Sequence, residues 1–161
     1  MEILKYPNKS LFNVCKEVTV FGPELKVLLE SMWDAMSDKR GMGLASNQVG
    51  LDYRMFTMVG PENEKLFIVN PKVVAKSSTS ANLKEGCLSA PGEFLVLPER
   101  SHIIQILYND ETGGLRTGIF RDLHAVCVQH EMDHLEGKSH LQSKSLTRQM
   151  RRQMCRKWGI K

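Results

Sequence analysis

The sequence predicts an α+β fold: a single domain in which mainly antiparallel sheets surround a central helix, with further helices towards both chain ends. Three observations favour this class. Apolar residues recur at helical spacing in three separate segments, and short β-branched and aromatic runs lie between the first two of them. Helices and strands do not alternate as they do in parallel α/β folds. The chain has 161 residues, 42% hydrophobic and 25% charged, which suits one globular domain.

The first helix is predicted at residues 23–40. Apolar side chains recur there at spacings of three and four residues, which places them on one helical face: Leu25, Leu28, Leu29, Met32 and Met36. Pro23 suits the first helical turn, and Gly41 suits the end. Strands are predicted at residues 53–59, 66–70, 72–76 and 102–108. A polar, glycine-rich turn at 109–114 leads into another strand at 115–120.

Two more helices are predicted after these strands. The second spans about residues 121–136 and ends at Gly137, and one of its faces carries Leu123, Val126, Cys127, His130 and His134. Two histidines therefore continue an apolar stripe. The third begins near residue 145, and its stripe consists of Leu146, Met150, Met154 and Trp158.

No segment indicates secretion or membrane insertion. No apolar run approaches the 18 or more residues of a membrane span, and the first residues lack the apolar segment of a signal peptide. We therefore expect a cytoplasmic protein of a bacterium, or of a host cell if a phage encodes it, without a membrane partner. The four cysteines lie far apart and form no CxxC pair, which favours reduced thiols and leaves each available as a metal ligand.

Residues 130–134, with the sequence HEMDH, form an HExxH motif on the second predicted helix. Two imidazoles four residues apart lie on one helical face and can bind one ion. Glu131 is turned towards the open side of that ion, where it can accept a proton from water. The alternative is a pair of core histidines beside a surface glutamate. Buried imidazoles without a metal would each need polar partners, so a metal site is the better interpretation.

The motif leaves its third ligand open. HExxHxxGxxH is the metzincin protease pattern, in which His140 would be the third ligand. The competing candidate is Cys87 in the segment EGCLS, whose neighbouring Gly and Pro-Gly indicate an exposed bend. A thiolate there would complete a Cys/His/His set with one position left for water. Residues 41–48, GMGLASNQ, are a glycine-rich segment whose backbone can approach a ligand closely, although alone they indicate only a loop.

Together, GMGLASNQ, EGCLS and HEMDH resemble the GxGLAAxQ, EGCLS and HExDH motifs of the peptide deformylases, in the same order. Weaker similarity extends from residues 3–7 to the third helix, so we expect residues 1–161 to form one catalytic domain. The resemblance implies a hydrolase that removes the N-formyl group from the starting methionine of nascent polypeptides and releases formate. It also implies that Cys87, His130 and His134 bind the metal and that His140 does not.

The resemblance implies the remaining roles as well. The cofactor is one divalent ion, Fe²⁺ in the cell, with Zn²⁺, Ni²⁺ or Co²⁺ as substitutes. Glu131 takes the proton of the attacking water and passes it to the departing amine. The Gln48 side chain and the Leu88 backbone N–H donate to the oxyanion. The pocket for the methionine side chain is expected to include Met42, Gly43, Leu123, Val126 and Cys127.

The sequence departs from the family pattern near the expected peptide groove. Ser46 replaces a usual alanine, and Phe94 stands where many bacterial members have an arginine. Glu99 separates Pro98 from Arg100, where the family pattern places an arginine directly after the proline. We expect these changes to affect the preference for residues after the formylmethionine.

The C-terminal region is strongly basic. Eight of the 22 basic residues and none of the 18 acidic ones lie from Lys138 onward, so the first 137 residues carry a net charge of −4. Such a run is either a solvated face or a surface for a polyanion such as RNA. Because the resembled family acts on nascent chains, the ribosome and its rRNA are the partner that we expect for the basic third helix.

Overall fold

The computed structural model describes residues 1–160 and has an α+β architecture, as predicted. Its helices are α1 (Pro23–Ser37), α2 (Asp122–Leu135) and α3 (Arg148–Trp158), with short 3₁₀ turns at Lys9–Phe12, Ser46–Val49 and His140–Gln142. Its strands are β1 (Gly43–Ala45), β2 (Met55–Val59), β3 (Lys65–Lys76), β4 (Lys84–Cys87), β5 (Ala90–Val96), β6 (Ile103–Asn109) and β7 (Leu115–Arg121).

The strands form two antiparallel sheets. The larger sheet has the order β1-β2-β3-β6-β7, and β4 pairs with β5 in a separate hairpin. Alternate residues of the large sheet point to opposite faces, because side chains alternate along a strand. Phe56 and Ile68 pack with α2 on one face, whereas Met55 and Phe67 pack with α1 on the other. The sheet thus lies between two helices, and α2 occupies the centre of the molecule.

The predicted turn between β6 and β7 is present and is organised by one carboxylate. Asp110 accepts hydrogen bonds from Thr112 N (3.0 Å), Thr112 Oγ1 (2.7 Å), Gly114 N (2.8 Å) and Arg116 Nε (2.9 Å). The hydrogen bond from the Thr112 side chain is the largest cause that lowers the pKa of Asp110, to about 2, and those from Gly114 and Arg116 add to it. The charged carboxylate is therefore part of the turn.

Some boundaries differ from the prediction. The two strands expected on either side of Pro71 are one strand, β3, because a bulge between Val69 and Lys72 accommodates a proline that has no N–H to donate. Helix α1 ends at Ser37 instead of residue 40, and α3 begins at Arg148 because the Thr147 side chain caps it. The sequence does not predict the β4–β5 hairpin, because its glycines and proline have the local pattern of a bend.

The C-terminal segment packs against the β4–β5 hairpin and the N-terminal residues. Leu146 and Ile160 are buried in this cluster, and Met154 and Trp158 pack against it. Met150, predicted to belong to the same apolar stripe, is 41% exposed because it lies beyond the edge of the cluster. Within residues 1–160 no helix has the length and apolar character needed to span a bilayer.

Candidate metal centre

Helix α2 brings three functional side chains into the interior. His130, Glu131 and His134 are all buried, and the two imidazole rings lie with their centroids 4.9 Å apart. Burial, together with the charge of His130, lowers the pKa of His134 well below its usual value. The His134 ring is therefore neutral at neutral pH, which is the form that binds a metal ion.

Cys87 meets these histidines from the end of β4. Its Sγ lies 3.2 Å from His134 Nε2, and one ligand atom from each of Cys87, His130 and His134 lies within 4.8 Å of the others. The prediction of an exposed bend is wrong for Cys87, which is only 8% exposed. The β4–β5 pairing turns Cys87 inward together with Glu85, since residues two apart share a face of a strand.

A buried ion-pair network contacts the Nδ1 atom of the His130 ring. Glu85 Oε2 lies 3.3 Å from His130 Nδ1, and the guanidinium of Arg100 contacts both Glu85 oxygens at 2.9 to 3.1 Å. Arg100 Nη1 also donates to Asp133 Oδ2 at 2.6 Å. Burial raises the pKa of Glu85, but its bonds to His130 and Arg100 outweigh this and lower it to about 2. The carboxylate therefore orients the ring so that its other nitrogen faces Cys87.

The role of Arg100 could not be predicted from the residues around it. The sequence places it one position later than the family pattern expects, yet its side chain is buried and forms the centre of this network. Arg100 bonds to Glu85 on β4 and to Asp133 on α2, so it bridges these two elements. Although Arg100 stands one residue later than the family pattern expects, it still places a positive charge next to Glu85.

His140 does not join the cluster. Its ring centroid lies 5.2 Å from that of His130, and neither of its ring nitrogens has a hydrogen-bond partner within residues 1–160. Burial is the main cause that lowers its pKa to about 3, so the ring is neutral. The geometry therefore favours Cys87 over His140 as the companion of the two α2 histidines.

The segment GMGLASNQ, residues 41–48, contacts the cluster of Cys87, His130 and His134 through the Gln48 side chain. Gln48 Nε2 is 3.5 Å from Cys87 Sγ and 3.1 Å from Ser89 Oγ, while Gln48 Oε1 accepts from Ala45 N at 2.8 Å. Asn47 donates its side-chain N–H to the carbonyl of His134, which ties this segment to the end of α2. The carboxamide of Gln48 is thus held with its donor group beside the thiol.

The Glu131 side chain lies against the backbone of β1 at Gly43. A Cβ atom on Gly43 would lie 2.5 Å from Glu131 Oε1 and 2.7 Å from Cys127 Sγ, so a larger residue there would have to displace these side chains. Glu131 Oε2 is buried without a hydrogen-bond partner among the described residues. Burial is the largest cause that raises the pKa of Glu131 to about 7, against the opposing effects of His130 and the Ala45 N–H. A carboxylate in this range is suited to proton transfer.

A cavity of about 440 Å³ opens next to these residues. It contains every site residue predicted from the sequence except His134, which lies behind it: Met42, Gly43, Gln48, Cys87, Leu88, Leu123, Val126, Cys127, His130 and Glu131. Val126 and Cys127 are buried deep in the wall, whereas Leu123 is 44% exposed and lies at the mouth instead of in the core. Lys39, Arg40 and Lys84 also line the cavity, and sequence reasoning missed them.

The donor set fits a divalent metal ion. One thiolate sulfur and two imidazole nitrogens are typical of catalytic sites that keep a fourth position for water or substrate. All three candidate ligands are buried, the Glu85 carboxylate orients the His130 ring, and the Glu131 carboxylate lies beside them. Such a site can polarise a carbonyl group and supply a nucleophile from water.

Comparison with known proteins is consistent with this chemistry. The family model described as polypeptide deformylase matches residues 1–150. A peptide deformylase of Bradyrhizobium sp. is 38% identical over 144 residues, 84% of this chain and 82% of that protein. The crystal structure of peptide deformylase from Ehrlichia chaffeensis has a TM-score of 0.90 at 32% identity and covers 99% and 94% of the two chains. A deformylase of a Vibrio parahaemolyticus bacteriophage, crystallised with actinonin, has a TM-score of 0.80 at 33% identity, covering 86% and 99%.

Proposed function

The chain belongs to the polypeptide deformylase family, which removes the N-formyl group from the first methionine of new polypeptides, and we propose that its Cys87, His130 and His134 hold the metal ion used in this hydrolysis. The observation that carries this assignment is the placement of the three ligand atoms within 4.8 Å of one another at the base of the cavity, next to Glu131. We further propose that residues 1–161 act as one catalytic domain.

A bound metal would act as a Lewis acid on the formyl carbonyl and lower the pKa of water near it. Glu131 accepts the proton that water loses on attack and passes it to the departing amine, for which its pKa of about 7 is well suited. The Gln48 carboxamide and the Leu88 N–H donate to the oxygen on which negative charge develops. The Lys5 ammonium donates a hydrogen bond to the Leu88 carbonyl, which lies in the peptide unit after the one that carries this N–H.

The methionine side chain is assigned to the apolar part of the cavity. Met42, Val126 and Cys127 form its walls, and Gly43 lets the strand β1 approach without a side chain. Leu123 covers the outer end. Burial raises the pKa of the Cys127 thiol well above its usual value, so this sulfur is protonated and contributes an apolar surface.

The metzincin alternative is not favoured. It requires His140 as the third ligand, but Cys87 occupies that place and His140 lies outside the group of ligand atoms. The family match agrees, since it assigns the chain to the deformylases over most of its length.

We propose Fe²⁺ as the ion used in the cell, with Ni²⁺, Co²⁺ or Zn²⁺ able to replace it, because the resemblance of the three motifs to those of the deformylases implies iron. The test is metal analysis and formate release from formyl-Met-Ala-Ser after anaerobic and aerobic purification. An iron enzyme should lose activity in air through oxidation of iron or of Cys87, and Ni²⁺ should restore a longer-lived activity. Equal half-lives of the iron and nickel forms in air would reject an oxygen-sensitive iron site.

We also propose that the enzyme works in the cytoplasm and binds the ribosome through α3. Arg148, Arg151, Arg152 and Arg156 lie on this helix, and no acidic residue follows Lys138. Binding to rRNA phosphates should weaken steeply as salt rises, so ribosome co-sedimentation at about 50 and 300 mM salt tests the proposal. Changing the four arginines to serine should abolish sedimentation at low salt without affecting formate release from a tripeptide. Equal sedimentation of both proteins would reject docking through α3.

A further inference from the structure

The mouth of the cavity carries three positive side chains, which we call the cationic rim: Lys39, Arg40 and Lys84. The first two lie in the turn after α1, and Lys84 begins β4. All three are exposed, and none of them forms an ion pair within residues 1–160. Their charges are therefore directed to solvent and to whatever enters the cavity.

The carboxylates of the same wall do not offset the cationic rim. Glu85 is buried and paired with Arg100, and Glu93 is bound by Lys157 and by Trp158 Nε1 at 3.3 Å. Glu131 lies buried next to the ligand cluster. Asp38 is a neighbour of the cationic rim in sequence but does not line the cavity. The mouth thus presents three uncompensated positive charges and no free negative one.

The distance between the cationic rim and the ligand cluster determines which part of a bound peptide lies next to the rim. The formyl group must reach the ligand cluster at the base, and the first side chain fills the apolar part of the cavity. The residues that follow must then leave through the mouth, between the cationic rim and the exposed side chains of Phe94 and Leu123. These two are apolar and offer no charge in competition with the rim.

We propose that the cationic rim makes this enzyme prefer formylmethionyl peptides with acidic side chains at the second and third positions. The inference rests on the proposed function, because it assumes that the formyl end lies at the Cys87 cluster. Complementary charge at an exposed mouth selects among substrates by binding them, not by changing the reaction at the carbonyl. The preference should therefore appear in KM, with kcat nearly unchanged.

The test compares three peptides of the form formyl-Met-Xaa-Xaa-Ala, in which both Xaa are Glu, Gln or Lys. Exposed ion pairs are weak, so kcat/KM should rise roughly 3- to 10-fold from the Gln to the Glu peptide and fall by a similar factor for Lys. The differences should shrink when salt is raised from about 0.02 to about 0.5 M, because the Debye length becomes shorter.

Two triple variants separate the cationic rim from the overall charge of the protein. Lys39→Gln/Arg40→Gln/Lys84→Gln should bring the ratio of Glu to Lys peptides close to one. Lys9→Gln/Lys26→Gln/Lys76→Gln removes the same charge from exposed positions away from the mouth and should keep the wild-type ratio. Formate release with equal kcat/KM for all three peptides, or a ratio unchanged in the rim variant, overturns this inference alone. No formate from any peptide would instead overturn the proposed function.

Discussion

The Nδ1 atom of His130 lies 3.3 Å from Oε2 of Glu85, a buried carboxylate that has its other partner in Arg100. This contact joins two parts of the chain that are 45 residues apart, the strand that carries Cys87 and the helix that carries both histidines. The contact orients the His130 ring and holds it next to the strand that carries Cys87, so it positions two proposed metal ligands together.

Replacement of Glu85 by glutamine should weaken metal binding. The amide keeps the size of the side chain but loses the charge that orients His130, and Arg100 loses a buried partner. We expect metal affinity, measured by competition with a chelator, to fall about 10- to 100-fold. The free energy of unfolding should fall by up to about 3 kcal/mol.

The matched control is Asp133→Asn, which removes the outer partner of Arg100 but leaves the contact between Glu85 and His130. Asp133 is 36% exposed, so its loss should change metal affinity by less than about 5-fold. Equal losses in the two variants would mean that Glu85 has no particular role in orienting the ring.

Cys87→Ala should abolish tight metal binding and activity while the protein still folds, because the metal would lose its thiolate. His140→Ala should retain metal and turnover near the wild-type values, since His140 lies outside the ligand group. Metal content by elemental analysis and circular dichroism spectra measure the two effects. Loss of metal and activity in His140→Ala, with both retained in Cys87→Ala, would instead favour the metzincin interpretation.

Glu131→Gln should keep the metal but lose most of the activity. Glutamine preserves the shape of the side chain and cannot accept a proton, so kcat should fall by at least about 10²-fold. Metal analysis of the same preparation separates this effect from loss of the ion. A decrease of only a few-fold would assign the proton transfer to another group.

Asp110→Asn should reduce stability in a pH-dependent way. The pKa of Asp110 in the folded protein is about 2, below its usual value of 3.8, so its charge stabilises the β6–β7 turn above about pH 4. This contribution is lost as the pH falls from about 4 to about 2. Urea unfolding at a series of pH values should show a deficit of the variant at pH 7 that disappears near pH 2.

The control for this experiment is Glu111→Gln, which removes one negative charge from the same turn without affecting the hydrogen bonds of Asp110. Its stability should follow that of the wild type at every pH. A constant deficit of Asp110→Asn down to pH 2 would show that the hydrogen-bond geometry matters and the charge does not.

Local spacing explains why part of the site could be predicted. His130 and His134 are four residues apart in a helical pattern, so one face of α2 had to carry both. Cys87 could be linked to them only by resemblance, because a hairpin with a glycine and a proline has the local signature of a bend. Arg100 carries no local signal at all. Its role depends on a contact across 15 residues to Glu85 and another across 33 residues to Asp133.

The cationic rim illustrates the same limit. Lys39 and Lys84 are far apart in the sequence, and each looks there like an ordinary surface lysine. Only the packing of the β4–β5 hairpin beside the end of α1 places them at one opening. Charge patterns along the chain therefore indicated the basic C-terminal region, whereas the positive charges nearest to the proposed chemistry could not be anticipated.

If the cationic rim selects acidic peptides as proposed, the ion pair between Lys157 and Glu93 connects the last helix to the choice of substrate. Helix α3 contributes no side chain to the cavity wall, yet one of its cations neutralises a carboxylate there. A partner that draws Lys157 away would release a negative charge beside the cationic rim and weaken the binding of acidic peptides. Linkage makes the effect reciprocal, so a bound acidic peptide would oppose that partner by the same free energy. Binding of such a partner to α3 and binding of acidic peptides at the cavity mouth would then be thermodynamically coupled.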